Sequence, residues 1–89
     1  MDKKADRILT RLDYNRLVKT TIVPLIVVYE HPEDYPDKFV ARVWDAGQPT
    51  QIVAVADDYE GILAAIPTAH MVNLGRDGND DACIRETWI

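Results

Sequence analysis

The stretch Ile22-Val23-Pro24-Leu25-Ile26-Val27-Val28-Tyr29-Glu30-His31-Pro32-Glu33-Asp34-Tyr35-Pro36-Asp37-Lys38-Phe39-Val40-Ala41-Arg42-Val43-Trp44 reads as strand, loop, strand. Within residues 22–30 both alternating sets are apolar, Leu25, Val27 and Tyr29 on one side and Ile26 and Val28 on the other. A strand apolar on both faces belongs inside a sheet rather than at its edge. Pro24 has no N–H to give to a ladder and is expected at or before the strand's first residues. Two prolines and three acids make residues 31–37 a loop. Residues 39–44 form a second strand, with Phe39, Ala41 and Val43 facing one way and Val40, Arg42 and Trp44 the other.

Toward the C-terminus, residues 45–49 turn the chain into a third strand over 50–55, and the loop lengths suit antiparallel pairing. Asp57 with Glu60 three residues later reads as a capping box. Tyr59, Ile62, Leu63 and Ile66 then share one helical face, and Pro67 ends the helix. A fourth strand is predicted over 71–74, a polar turn over 75–81, and a fifth strand over 82–89 with Ile84 and Trp88 on the same face. Toward the N-terminus, Ala5, Ile8, Leu9 and Leu12 fall in one stripe at 3.6-residue spacing, which predicts a helix over 3–16. The expected architecture is α+β in the order α-β-β-β-α-β-β, an antiparallel sheet of about five strands with one packing helix. Residues 1–20 form a basic N-terminal helical segment and residues 21–89 an acidic body, expected to fold without it, within one domain overall.

A chain of 89 residues has room for a single core. With 47% apolar and 28% charged residues its composition is that of a folded domain. One cysteine, Cys83, cannot close an intramolecular disulfide, and no apolar run of signal-peptide or membrane-spanning length is present. A cytoplasmic protein is the expectation, and for so small a core self-association is one route to added stability. The net charge of −5 is unevenly spread. Residues 1–20 hold Lys3, Lys4, Arg7, Arg11, Arg16 and Lys19 against three aspartates, a balance of +3, while residues 21–89 carry −8. An acidic body repels phosphate, so direct nucleic-acid binding is not expected, and a protein with a basic surface is the natural partner.

No constellation for catalysis or metal binding is visible. His31, His70 and Cys83 stand far apart with no ligand spacing, and Cys83 has no adjacent base. His31 reads as a solvated loop residue, His70 as lying near a strand's start, and Cys83 as a small half-buried strand residue. The acid pairs Glu33/Asp34, Asp57/Asp58 and Asp80/Asp81 fall in loops or at a helix cap, where solvated turn chemistry accounts for them. Neither a catalytic residue, nor a metal ligand, nor a cofactor site is assigned. The loop at 31–38 is the candidate recognition element, because its prolines limit the entropy lost on ordering and Tyr35 offers a rigid anchor. The partner-binding set is Glu33, Asp34, Tyr35, Asp37, Arg42 and Trp44, the last two forming an interface pair if their face is exposed.

Residues 28–44 and 80–89, with the motifs Pro-x-Asp-Tyr-Pro-x-Lys-Phe-Val-Ala-Arg and Asp-Asp…Ile-x-Glu-x-Trp-Ile, resemble a set of small bacterial proteins of uncharacterised activity. The likeness covers about residues 25–89 and implies a common fold. Strands followed by an acid-capped helix over residues 25–66 are also similar to HicB-type antitoxins, without their Pro-Asp-Leu-Pro-Gly turn. In size, charge and lack of catalytic groups the chain is similar to inhibitors carried by phages and mobile elements, anti-CRISPR proteins among them. The expected function is therefore that of a non-catalytic inhibitor or regulator whose acidic surface occupies a basic, nucleic-acid-binding surface of a protein partner. The alternatives are an antitoxin-like module or a domain that binds a small molecule or nucleotide.

Overall fold

In the computed structural model, which describes residues 6–76 and 82–89, five strands form one mixed sheet with two helices packed on one side. The elements are β1 (Arg7–Leu9), α1 (Tyr14–Thr20), β2 (Pro24–Glu30), β3 (Phe39–Asp45), β4 (Gln48–Ala56), α2 (Tyr59–Ala65) and β5 (Ile84–Trp88). The strand order is β1-β4-β3-β2-β5, which puts β2 and β3 inside the sheet. Pairing is antiparallel except for β1, which runs parallel to β4. No helix among the described residues is long and apolar enough to cross a membrane.

The two faces predicted for β2 and β3 are those observed. Ile26, Val28, Phe39, Ala41, Val43 and Ala54 meet Leu17 of α1 and Ile62 and Ala65 of α2 in one buried cluster. The opposite face carries Leu25, Val27 and Tyr29 of β2 beside Trp44, Arg42 and Val40 of β3, and no helix of the described residues covers it. Pro24 opens β2, where its missing N–H costs nothing.

Three expectations are corrected. The N-terminal helix over 3–16 is instead β1 followed by α1, and the sheet is mixed rather than antiparallel. A three-turn amphipathic helix is marginal by itself. As a strand, residues 7–9 pair with Ile52, Val53 and Ala54 along the side of β4 that β3 leaves open. Leu12 then donates its N–H to Ala65 O at 2.8 Å and is 3% exposed, so its side chain is part of the core. Second, residues 71–74 do not form a strand of the sheet. A 3₁₀ turn, Thr68–His70, leads to a single bridge from Asn73 to Trp88, where Val72 and Ile89 exchange backbone bonds, Leu74 N donates to Thr87 O and Thr87 N donates to Gly75 O. Third, β5 begins at Ile84, and an irregularity opposite Val28 and Tyr29 puts Ile84 against Tyr29 and Trp88 against Ile26. Tyr29 and Ile26 point to opposite faces, so Ile84 and Trp88 do as well. The predicted polar turn and the pair Asp80/Asp81 lie largely outside the described residues, as do Lys3 and Lys4.

The cap of α2 also shifts by one residue. Asp58 accepts from Gly61 N at 2.7 Å, while Asp57 pairs with Lys38. Three residues beyond Asp58 stands a glycine, which has no side chain to return the hydrogen bond, so only half of the capping box forms. A Cβ on Gly61 would lie 3.0 Å from Asp58 Oδ1, so a larger residue there would require the capping carboxylate to shift slightly.

Between β3 and β4 the turn contracts to Ala46 and Gly47, both at positive φ, 52° and 83°. This is the two-residue turn that the twist of paired strands favours, with an alanine where asparagine is preferred. Asp45 Oδ1 accepts from Ile22 N and Val23 N, each at 2.9 Å, and ties the entry of β2 to this turn.

Two stability outcomes follow from these contacts. In urea unfolding, Leu12→Ala is expected to cost about 2–5 kcal/mol, the range for emptying a buried leucine site. Ala46→Asn is expected to gain about 1 kcal/mol by removing the left-handed penalty on an alanine.

Candidate functional site

The uncovered face of the sheet owes its shape to Arg42. It sits mid-strand in β3 between Val27 and Val53, and burial of a guanidinium there requires anionic and carbonyl partners. Asp6 supplies a two-point carboxylate, with Nη1 to Oδ1 at 2.9 Å and Nη2 to Oδ2 at 3.0 Å. Thr50 O accepts from Nη1 at 2.7 Å, and Asp34 Oδ2 lies 3.4 Å from Nη2. The hydrogen bond to Asp6 holds the Arg42 pKa above its ordinary value, against the opposing effect of burial.

The Thr50 carbonyl is in reach because the β3/β4 ladder is irregular. Arg42 pairs with Val53 but Trp44 pairs with Pro49, so β4 advances by four residues while β3 advances by two. The Thr50 hydroxyl bridges the irregularity, donating to Val43 O at 2.7 Å and accepting from Ile52 N at 3.2 Å. Such bulges re-aim groups beside a binding surface.

Loop 31–38 folds over one end of the same face. It is closed by His31 N to Lys38 O at 2.9 Å, Tyr35 N to Pro32 O at 3.0 Å and Lys38 N to Tyr35 O at 3.1 Å. Tyr35 donates its hydroxyl to Asp6 Oδ2 at 2.9 Å. Burial, then this hydrogen bond, raises the Tyr35 pKa above its ordinary value. Between loop and strands lies an open groove of about 450 Å³, lined by Tyr29, Val40 and Trp44, by Pro32 and Pro49, and by Asp34. Trp44 Nε1 donates to the Tyr29 hydroxyl at 3.2 Å, which fixes the two rings as one wall.

Of the six residues singled out from the sequence, Asp34, Arg42 and Trp44 line this groove, and Tyr35 braces it from behind through Asp6. Glu33 and Asp37 are exposed on the loop and do not line it. Arg42 is mostly covered and bonded within the chain, so its role is to hold Asp6, Asp34 and Thr50 in place. Tyr29, Asp6 and Thr50 belong to the site but were not singled out. The need of a central-strand arginine for a carboxylate is readable from sequence, yet the choice among fifteen acids is tertiary.

The remaining chemistry-bearing groups are dispersed. His31 is exposed and meets Phe39 edge-on at 5.5 Å, and His70 stacks on Tyr14 at 4.8 Å. Cys83 precedes β5 rather than lying in it, half-buried, with its carbonyl accepting from Glu30 N at 2.7 Å. Among the described residues no group of three or more His, Cys, Asp or Glu is placed to hold a metal ion. Glu86 is buried on the helix side, where its carboxylate accepts from the Tyr59 hydroxyl at 2.6 Å and from Trp88 Nε1 at 2.7 Å. Burial, then the Glu86 hydrogen bond, raises the Tyr59 pKa. No protein-family model matches the chain, and no curated protein and no solved structure matches it.

Asp6→Ala is expected to cost about 2 kcal/mol, between the values for exposed and fully buried pairs, with the loss read by urea unfolding. Tyr35 and Tyr59 both have folded-state pKa values above the unfolded value of about 10. Their contribution is complete below pH of about 10 and is lost as pH rises through the folded values, so stability falls on the alkaline side. Titration of tyrosinate absorbance should show Tyr35 and Tyr59 ionising late, and Tyr35→Phe and Tyr59→Phe should each remove one late step.

Proposed function

We propose that this chain is a non-catalytic binding protein that takes a basic segment of a protein partner into the groove on the uncovered sheet face and thereby inhibits or regulates that partner. One observation carries the reading: the Tyr29 and Trp44 rings stand beside the Asp34 carboxylate in a concave site that no helix of the described residues covers. An aromatic wall next to a half-exposed carboxylate suits a lysine or arginine side chain, which gains a cation–π contact and an ion pair in one place. Glu33 and Asp37, exposed on the adjoining loop, add the long-range attraction that steers such a partner. Preorganisation supports the reading too. Arg42, Asp6 and Tyr35 hold the groove by internal hydrogen bonds, so little ordering is left to occur on binding. A surface evolved to meet phosphate on its natural ligand, basic and nucleic-acid-binding, is the class of partner that an acidic rim would occupy.

The test compares two variants against the partner that the wild-type chain captures from its native host. Reversing Glu33, Asp34 and Asp37 to Lys together should slow association about tenfold and flatten its salt dependence, because rim charges act through the encounter rate. Trp44→Ala should speed dissociation about tenfold or more, because a buried aromatic anchor acts through contact area. Unchanged kinetics in both variants, with the fold verified by circular dichroism, would remove this groove from the function.

A further inference from the structure

A second groove, also about 450 Å³, lies at the other edge of the molecule between β1 and α1. Its lining includes Arg7, Arg11 and Arg16 together with the apolar Leu9, Leu17 and Ile52. Asp13 also lines it, so the local balance of the four charged groups is positive. The three arginines come from a strand, a connection and a helix, and converge only because residues 7–9 pair with β4 and Leu12 turns the chain into the core.

The convergence of these cations sets the groove apart. Lys38, Arg42 and Arg85 are each in an ion pair, Arg76 donates to Ile84 O, and Lys19, exposed near the end of α1 with no ion pair among the described residues, stands outside the groove. Arg7, Arg11 and Arg16 have no ion pair among the described residues, although the chain has fifteen acids for ten Lys and Arg. A fold with surplus carboxylates thus leaves three guanidinium groups uncompensated around one apolar lining. Guanidinium binds carboxylate or phosphate through paired N–H donors, and a pocket of this size with apolar walls and a few convergent polar groups is the usual form of a small-ligand site.

We infer that the β1–α1 groove binds a small amphipathic anion, its single anionic head held by Arg7, Arg11 and Arg16 and its apolar body laid against Leu9, Leu17 and Ile52. The site is independent of the groove beside Trp44. Arg7 lies opposite Ile52 on the helix side of the sheet, whereas Trp44 lies on the uncovered side.

The test is a titration of the full chain, followed by amide chemical shifts in NMR, with four probes: octanoate, octyl phosphate, 1-octanol and inorganic phosphate. Octanoate or octyl phosphate should shift the amides of β1, α1 and Ile52 with a Kd of about 1 mM or tighter, as expected for a ligand of about ten non-hydrogen atoms. The alcohol, lacking the charge, and inorganic phosphate, lacking the chain, should each bind at least about tenfold more weakly. Replacing Arg7, Arg11 and Arg16 by Gln together should weaken the amphiphile about tenfold or more while the rest of the spectrum is preserved. If the triple variant does not fold, Arg11→Gln and Arg16→Gln separately should each weaken it at least about threefold. Equal binding of octanoate and octanol, binding unaffected by these substitutions, or no shift at the groove would overturn the inference. So would a short single-stranded oligonucleotide that shifts the same amides and displaces octanoate, since that would assign the arginines to a phosphate backbone instead.

Discussion

A guanidinium placed mid-strand in an interior strand is the constraint on which the functional face depends. Arg42 is flanked by valines on β2 and β4 and is largely shielded from water, so its charge must be met by partners within the chain. Those partners come from three places: Asp6 ahead of β1, Thr50 in the irregular part of β4, and Asp34 in the loop between β2 and β3. Holding them costs desolvation, which the two-point carboxylate contact offsets. One side chain thereby fixes the start of the described chain, the course of β4 and the position of the loop, and the groove is the space left between them.

Glu86 does the corresponding work on the helix side. A carboxylate that is 5% exposed is tolerated because Tyr59 and Trp88 both donate to it, and none of the buried side-chain nitrogen and oxygen atoms among the described residues lacks a partner. Tyr59 in turn lies under Arg85, whose guanidinium carbon is 4.1 Å from the ring centre and which also pairs with Glu30 at 3.1 Å. Helix α2 is therefore registered on the sheet by a polar chain as well as by Ile62 and Ala65. Apolar burial supplies the driving force, but it is indifferent to small slips, whereas a buried carboxylate with two aromatic donors accepts one alignment.

The electrostatics divide along the same architecture. Carboxylates of the loop stand beside the uncovered face, while the uncompensated arginines collect at the β1–α1 edge on the other side. A net charge of −5 conceals this arrangement, since the sum does not show that the positive groups are gathered at one edge. Each surface attracts a different chemistry, a cation in one case and an anion in the other.

The alternation of residues 22–30 and 39–44 by itself determined which side chains of β2 and β3 share a face, because successive side chains point to opposite sides of a strand. Two apolar sets marked β2 as an interior strand, whereas the interior place of β3 and the choice of face for the helices came from tertiary pairing. Local chemistry likewise determined the loop at 31–38 and the helix that Pro67 follows, since proline, glycine and carboxylate act on their immediate neighbours. The tertiary structure alone decided that residues 7–9 are a strand. Ile8, Leu9 and Leu12 satisfy a helical stripe equally well, and the choice fell to the unpaired side of β4, a feature no local window contains. It alone decided which acid meets Arg42 and which way Ile84 faces, because a ladder irregularity reverses alternation without any mark in the local pattern. Both grooves belong to that second category: their side chains lie far apart along the chain, and only pairing across the sheet brings them within reach of one ligand.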